Sequence, residues 1–170
     1  MTSLHGEPIQ ILHVDDDPSV TDLTATFLER DNNQFAVQTA TSAAEGLELI
    51  GDRAPDCVVS DYNMPRMDGL EFLRAVRKEC PDLPFILCTG KGSETVASDA
   101  IAAGVTDYIQ KGGGTERYDL LANRIRNAVE SRREANRAAK QEQLMRLTEG
   151  TADTGGVENG LDSDGGLLTQ

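Results

Sequence analysis

The chain has 170 residues, a length that suits one ordinary domain with a short additional segment. Sixteen basic and twenty-nine acidic residues give a net charge of −13, which disfavours nucleic acid and anionic membrane surfaces as direct partners. No apolar run approaches the ~20 residues of a membrane span. The N-terminus also lacks the basic and apolar regions of a signal peptide, so we expect a cytoplasmic protein.

Short apolar runs alternate with segments of helical periodicity from the N-terminus to Ala128. The predicted strands span residues 9–14, 35–39, 57–60, 85–89 and 108–110. The predicted helices span residues 19–30, 42–50, 70–76, 96–103 and 117 onward, and a capping box at Ser42 and Glu45 begins the second of them. Five strands that alternate with helices predict an α/β fold, in which a parallel sheet has helices on both faces.

The composition changes after residue 128. Residues 129–148 are charged, rich in Ala and free of Gly and Pro, so we expect the last helix to extend through them. Residues 149–170 contain five acidic residues, several glycines and no basic residue, a composition typical of a disordered tail. The predicted organisation is therefore a folded domain (1–128), a helical extension (129–148) and a tail (149–170).

Charged or polar residues stand where four of the predicted strands end. In chain order they are Asp15 with Asp16, Asp61, Thr89 and Lys111. Because ligands of such sheets bind beyond the carboxyl ends of the strands, we expect these side chains to converge on one edge. Clustered carboxylates repel one another unless a cation offsets their charge, and Mg²⁺ prefers oxygen ligands of this kind.

A carboxylate in such a site can attack phosphorus. Asp61 would be the nucleophile, while Mg²⁺ and the ammonium group of Lys111 neutralise the oxygens of the transferred phosphoryl group. The hydroxyl of Thr89 could donate a hydrogen bond to one of those oxygens. The pattern therefore favours a phosphoacceptor.

Four motifs of the chain resemble those of response-regulator receiver domains. They are ILHVDDDP (11–18), VVSDYNMPRMDG (58–69), LCTGKG (87–92) and DYIQKG (107–112). The numbers of residues that separate Asp61 from Thr89 and Thr89 from Lys111 along the chain also match those of the family. The resemblance covers about residues 7–128 and implies a flavodoxin-like, doubly wound (βα)5 sheet of strand order 2-1-3-4-5.

The resemblance assigns a metal site and a phosphorylation site. Asp61 would carry the phosphoryl group, and Asp15 and Asp16 would hold Mg²⁺ together with Asp61. Asn63 would contribute its backbone carbonyl to the same ion.

The resemblance also assigns roles around the phosphoryl group. Thr89 and Lys111 would bind it and assist its transfer, and Thr89 with Tyr108 would form a switch in which the tyrosine rotates inward. Gly112 departs from the family, which usually has Pro after the lysine, often with a cis peptide bond. A non-proline cis bond costs about 2.5–4 kcal/mol, so the bond at Gly112 is either trans or strained.

As a receiver, the chain would take its phosphoryl group from a histidine kinase and signal to a downstream protein target. It would not be an enzyme beyond its own phosphotransfer and dephosphorylation. The fourth helix, fifth strand and fifth helix would form the signalling face, which could also join two copies as a homodimer. The segment after residue 128 has a net negative charge, and it is too short and too acidic for a DNA-binding domain.

Two alternatives remain open. A phosphatase of the haloacid-dehalogenase type would use Asp15 as its nucleophile, although Pro18 and Ser19 depart from that signature. The chain could also be the truncated input module of a hybrid sensor kinase, because its C-terminal part resembles archaeal receiver–PAS–histidine-kinase proteins. Only four residues are Lys while sixteen are Asp, which indicates a halophilic archaeon, with an ordinary acidic bacterial protein as the alternative.

Four other residues have simpler interpretations. We expect His13 to be a packed strand residue rather than a ligand, and Cys57 and Cys88 to be small core residues. The three cysteines lack a CxxC spacing, which favours reduced thiols over disulfides or a zinc site. Asp17, which precedes Pro18, suits a helix N-cap.

Overall fold

The computed structural model describes residues 7–31, 34–90 and 94–157. The strands are β1 (Ile9–Val14), β2 (Phe35–Ala40), β3 (Cys57–Asp61), β4 (Phe85–Thr89) and β5 (Asp107–Gln110). The helices are α1 (Pro18–Asp31), α2 (Ala43–Asp52), α3 (Gly69–Glu79), α4 (Glu94–Ala102) and α5 (Glu116–Val157).

The five strands form one parallel sheet in the order β2-β1-β3-β4-β5. This order confirms the predicted doubly wound topology. The strand β1 pairs with β2 on one side and β3 on the other, so the N-terminal strand lies inside the sheet.

Alternate residues of the strands face two separate buried clusters. On β1, Leu12 and Val14 belong to the cluster that packs against α2, α3 and α4, whereas Ile11 belongs to the cluster beneath α1 and α5. Leu28 of α1 and Ile125 of α5 complete that second cluster. Both faces of the sheet are therefore covered, as the apolar strand sequences predict.

Side-chain caps begin three of the helices. The carboxylate of Asp17 accepts a hydrogen bond from the backbone N–H of Ser19 (3.0 Å) before α1, which confirms its expected role. Ser42 accepts from the backbone N–H of Glu45 (3.1 Å) before α2, which is one half of the predicted capping box. The side chain of Glu45 accepts instead from the backbone N–H of Thr41 (3.0 Å), so the other half is not formed. Asp68 forms a full capping box before α3.

Several boundaries differ from those predicted by one to three residues, the largest of these at the end of α3 (Glu79), and α5 differs by more. The helix α5 continues to Val157 and so enters the 149–170 segment whose composition is typical of disorder. Each residue added to an existing helix gains a hydrogen bond, so a helix can run beyond a change in composition. Residues 158–170 lie outside the described residues.

The chain divides into two units, Met1–Arg132 and Arg133–Gln170, with the division inside α5. The first unit contains the whole sheet. No helix in the described ranges combines the length and the hydropathy that spanning a membrane requires.

Candidate functional site

The parallel sheet brings the predicted site residues to one edge. Asp15 directly follows β1, Asp61 is the last residue of β3, Thr89 is the last residue of β4, and Lys111 directly follows β5. In the register of neighbouring strands Asp61 pairs with Cys88, so the ends of β3 and β4 lie side by side.

Three carboxylates cluster at this edge. One oxygen each of Asp15, Asp16 and Asp61 lies within 4.8 Å of the others. Burial raises the pKa of Asp15 to about 6; the charges of Asp61 and Asp16 also raise it, while a hydrogen bond from the Asp17 backbone and the charge of Lys111 oppose the rise. A divalent cation would relieve this unfavourable concentration of negative charge, and the oxygen donors fit Mg²⁺.

Two donors hold one oxygen of Asp61. Its Oδ1 accepts from the backbone N–H of Tyr62 (2.9 Å) and from Nζ of Lys111 (2.7 Å). Nζ of Lys111 also lies 3.8 Å from Oδ2 of Asp15. Burial lowers the pKa of Lys111, but its hydrogen bond to Asp61 and the nearby negative charges outweigh burial and raise the pKa above its ordinary value. Lys111 is therefore a cation that faces the carboxylates.

The loop after β3 approaches the backbone of Asp61 closely. The backbone N–H of Gly69 donates to the carbonyl of Tyr62 (2.8 Å). A Cβ at Gly69 would lie 2.5 Å from the carbonyl oxygen of Asp61 and 2.7 Å from Cδ1 of Leu87, so only glycine fits here. Asn63 is exposed in the same loop, two residues after Asp61.

The two predicted switch residues touch each other. The buried hydroxyl of Thr89 donates a hydrogen bond to the hydroxyl of Tyr108 (2.9 Å). Tyr108 is half-buried and packs against the cluster beneath α2, α3 and α4. The peptide bond between Lys111 and Gly112 is trans, like every bond in the described ranges, which answers the question raised by the missing proline.

His13 shows a property that the sequence did not predict. It is a buried strand residue, as expected, but its Nδ1 has no hydrogen-bond partner among the described residues. His13 also lines a cavity together with Asp15 and Asp61. The alternation of β1 could have predicted which face His13 occupies, but the cavity depends on how α1 and α5 pack.

Cys57 and Cys88 lie within the strands, and both thiols are free. Burial raises the pKa of Cys88 to about 12 and moves that of Cys57 in the same direction. Neither thiol is therefore ionised near neutral pH, which supports their interpretation as core residues.

Comparisons with known proteins place this geometry in a family. Residues 11–123 match the family model described as the response regulator receiver domain. Response regulator MprA of Mycobacterium sp. strain KMS is 38% identical over 115 residues, which are 68% of this chain and 48% of that protein. The chain thus spans about half the length of the curated relatives it matches.

Solved structures agree with the sequence matches. The receiver domain of NtrX from Brucella abortus is 36% identical with a TM-score of 0.61, and the match covers 68% of this chain and 96% of that one. A CheY-like receiver domain protein from Methanospirillum hungatei is 28% identical with a TM-score of 0.69, over 76% of this chain and 99% of that one. The finer resemblance to archaeal receiver–PAS–kinase proteins stays a prediction. With strand order, site geometry and sequence matches in agreement, the chain belongs to the response regulator receiver domain family.

Proposed function

We propose that the chain accepts a phosphoryl group on Asp61 as part of a two-component phosphorelay. The observation that carries this proposal is the 2.7 Å ion pair between Asp61 and Lys111, with the carboxylates of Asp15 and Asp16 beside it. The lysine holds Oδ1, while Oδ2 of Asp61 accepts no hydrogen bond within the described part of the chain. Oδ2 is therefore the oxygen available for attack.

In the proposed reaction, an oxygen of Asp61 attacks the phosphorus of a phosphohistidine. The new O–P bond forms as the P–N bond to the imidazole breaks, and the imidazole nitrogen keeps the electron pair of that bond. A proton from solvent makes the leaving group a neutral imidazole. Lys111 and the hydroxyl of Thr89 would bind the oxygens of the transferred group. Asp15, Asp16 and Asp61, with the backbone carbonyl of Asn63, would hold Mg²⁺, which would neutralise charge on the phosphoryl oxygens.

The partners follow from this chemistry. We infer a histidine kinase as phosphodonor and a downstream protein target that reads the face formed by α4, β5 and the first turns of α5. We also propose a homodimer through the same face, a cytoplasmic location and a halophilic archaeal source.

The proposed organisation of the chain is a receiver (1–128), a helical extension (129–148) and a tail (149–170). The chain would have no enzymatic role beyond its own phosphotransfer and dephosphorylation.

Phosphorylation of Asp61 can be tested with a small phosphodonor. Treated with acetyl phosphate and Mg²⁺, the wild type should gain the mass of one phosphoryl group, and Asp61→Asn should gain none because an amide is not a nucleophile for phosphorus. Asp22→Asn removes an exposed acid from α1 and should behave as the wild type. Intact-protein mass spectrometry measures all three.

Wild-type labelling of Asp61→Asn would refute the proposal. If peptide mapping then placed the phosphoryl group on Asp15, the aspartate-nucleophile phosphatase would become the better interpretation.

A further inference from the structure

A groove of about 310 Å³ lies on the surface between α1 and α5. Its apolar lining comes from Phe27 and Leu28 of α1 and from Tyr118 and Ala122 of α5. The rings of Phe27 and Tyr118 stack in parallel with their centroids 4.5 Å apart, so the two helices are in contact beside the groove. Leu23, one turn before Phe27 on the same side of α1, is an apolar side chain that is 46% exposed.

Two opposite charges of α5 also line this groove. Asp119 and Arg126 both belong to it, and neither forms an ion pair within residues 7–31, 34–90 and 94–157. Nη2 of Arg126 donates to Oδ1 of Asn123 (2.6 Å), and its guanidinium lies 5.7 Å from the ring centroid of Phe35, which leaves its charge without a carboxylate. We call this surface the α1–α5 face, and its residues are Leu23, Phe27, Leu28, Tyr118, Asp119, Ala122, Asn123 and Arg126.

The spacing of the two charges makes the face complementary to itself. Asp119 and Arg126 are separated by two turns, or about 10 Å, and the midpoint between them falls between Ala122 and Asn123. When two such helices lie antiparallel about a two-fold axis at this midpoint, Asp119 of each copy faces Arg126 of the other, and the pair forms twice. The small side chain of Ala122 lets the helix axes approach closely there. A second copy therefore neutralises both charges with groups that the chain already has.

We propose that the α1–α5 face binds a second copy of this chain in an antiparallel, two-fold arrangement. The contact joins Asp119 of each copy to Arg126 of the other and covers the exposed side chain of Leu23. It lies on the α1 side of α5, so it differs from the signalling face proposed above, and no group of the phosphorylation site takes part in it. The net charge of −13 makes two copies repel each other at long range. At about 0.15 M salt this repulsion is largely screened beyond roughly 8 Å, while ion pairs in contact are weakened less.

Exchanging the two charges tests whether they face each other. Sedimentation velocity of the full chain between about 1 and 100 μM should show a wild-type dimer whose fraction grows with concentration. In Asp119→Arg two like charges meet at both ends of the contact, so the Kd of the dimer should rise at least about tenfold, and Arg126→Asp should act in the same way. The double variant, which carries both substitutions, exchanges the charges and should dimerise again.

Asp99→Arg is the matched control, because it makes the same charge change at an exposed acid of α4. It should leave the Kd of the dimer unchanged, and far-UV circular dichroism checks that each variant is folded. Three results would overturn the proposal: a wild type that stays monomeric at about 100 μM, an unchanged Kd in Asp119→Arg, or a folded double variant that stays monomeric. A dimer that is lost only in Asp99→Arg would assign the contact to the α4 side of the domain instead.

A cysteine near the two-fold axis provides a test that keeps both charges. Asn123→Cys places the new thiols of two copies close together, so diamide, which oxidises two thiols to a disulfide, should cross-link them. Ser98→Cys of α4 should give no more cross-linked dimer than the wild type, whose three free cysteines set the background. A yield for Asn123→Cys no higher than this background would overturn the proposal even if a charge variant failed to fold. All measurements are made without a phosphodonor, so they are independent of whether Asp61 accepts a phosphoryl group.

Discussion

Burial changes the pKa of His13, which lies in β1, and that of Asp15, which directly follows β1, in opposite directions. It lowers the pKa of His13 from 6.5 to about 4 and raises that of Asp15 from 3.8 to about 6. The cause is the same in both, because burial disfavours the charged form of either group. Each therefore tends to be neutral over the pH range between its shifted value and its ordinary one.

These shifts have opposite effects on the free energy of unfolding. Between about pH 4 and 6, Asp15 holds a proton in the folded state that it loses in the unfolded state, so its contribution to stability falls as the pH rises. His13 binds its proton preferentially in the unfolded state, so its contribution falls as the pH drops from 6.5 towards 4. In the wild type, the pH dependence that Asp15 gives to the free energy of unfolding and the one that His13 gives it therefore largely cancel between about pH 4 and 6.

Removing the charge of Asp15 should break this cancellation. In Mg²⁺-free buffer we expect Asp15→Asn to be more stable than the wild type by about 2–3 kcal/mol above pH 7, because the amide avoids the cost of a buried charge. The difference should shrink towards zero near pH 4, where the wild-type carboxyl is protonated. Urea denaturation across this pH range measures it.

Asp22→Asn, which removes an exposed acid, is the matched control and should show no such pH-dependent difference. A less stable Asp15→Asn at high pH would mean that attraction to Lys111 outweighs the cost of burial at this position.

The sequence predicts where some of the site residues lie, but it does not predict their pKa values or the cavity beside them. The meeting of Asp15, Asp61 and Lys111 was predictable because each stands at the end of a parallel strand, and all such ends share one edge. The pKa shifts and the cavity beside His13 were not predictable, because both depend on how closely α1 and α5 pack on the sheet.

At the scale of elements, one arginine joins three segments of the chain. Arg77 of α3 donates from Nε to the carbonyl of Gly104 (2.8 Å), which lies between α4 and β5. Its Nη1 donates to the carbonyls of Cys80 (3.1 Å) and Leu83 (2.8 Å), between α3 and β4. The guanidinium thus supplies charged donors to carbonyls that lie beyond the ends of two helices.

Replacing this arginine should weaken the fold. We expect Arg77→Leu to lower the free energy of unfolding by about 2–4 kcal/mol, because three carbonyls lose a charged donor. Arg74→Leu changes an exposed arginine of the same helix and should cost less than about 0.5 kcal/mol. Chemical denaturation measures the free energy of unfolding of both variants. Equal losses in the two would show that the hydrogen bonds of Arg77 to these carbonyls do not stabilise the fold.

The elements themselves were largely predictable, since their order and type follow from apolar periodicity. The starts of helices were the most predictable boundaries, because the side chains that cap them can be recognised in the sequence. Ser42 and Glu45, for example, have the spacing of a capping box, and Ser42 is the N-cap of α2. Asp68 and Glu71 carry the same signature before α3 and could have been identified in the same way. The end of α5 could not, because residues 149–157 are helical despite a composition typical of a tail.

At the scale of the folded unit, β5 links the candidate site to α5. Tyr108 accepts the hydrogen bond of Thr89, and its neighbour Asp107 binds Arg124 of α5 through both carboxylate oxygens (2.7 and 2.8 Å). A movement of Thr89 towards a phosphoryl group would therefore disturb a residue next to the anchor of α5.

We expect a phosphate mimic to change the face formed by α4, β5 and the start of α5. With Mg²⁺ and beryllofluoride, amide hydrogen exchange should change more in residues 94–102, 107–110 and 116–128 than in α2, which packs on β1 and β2. A shift of only ~1–3 kcal/mol between two states is sufficient. In Tyr108→Phe, which removes the hydroxyl partner of Thr89, the change should be smaller.

Exchange by mass spectrometry with and without beryllofluoride makes this comparison. Equal exchange changes in α2 and in the face formed by α4, β5 and the start of α5 would contradict the prediction that the signal reaches this face specifically. As a control, Asp61→Asn should show no change in exchange on addition of beryllofluoride.

The strand order also determines the sequence in which the sheet can be assembled. The adjacent strands β2, β1 and β3 all precede Tyr62 in the chain, and β4 and β5 then join the β3 edge in chain order. During synthesis, the N-terminal half can pair its strands before the rest of the chain has emerged. That half places the carboxylates of Asp15 and Asp61 together before Lys111 is available. In that half, Asp15 and Asp61 lack the ammonium group that faces them in the complete domain, so their mutual repulsion is relieved by Lys111 only once β5 has joined the sheet.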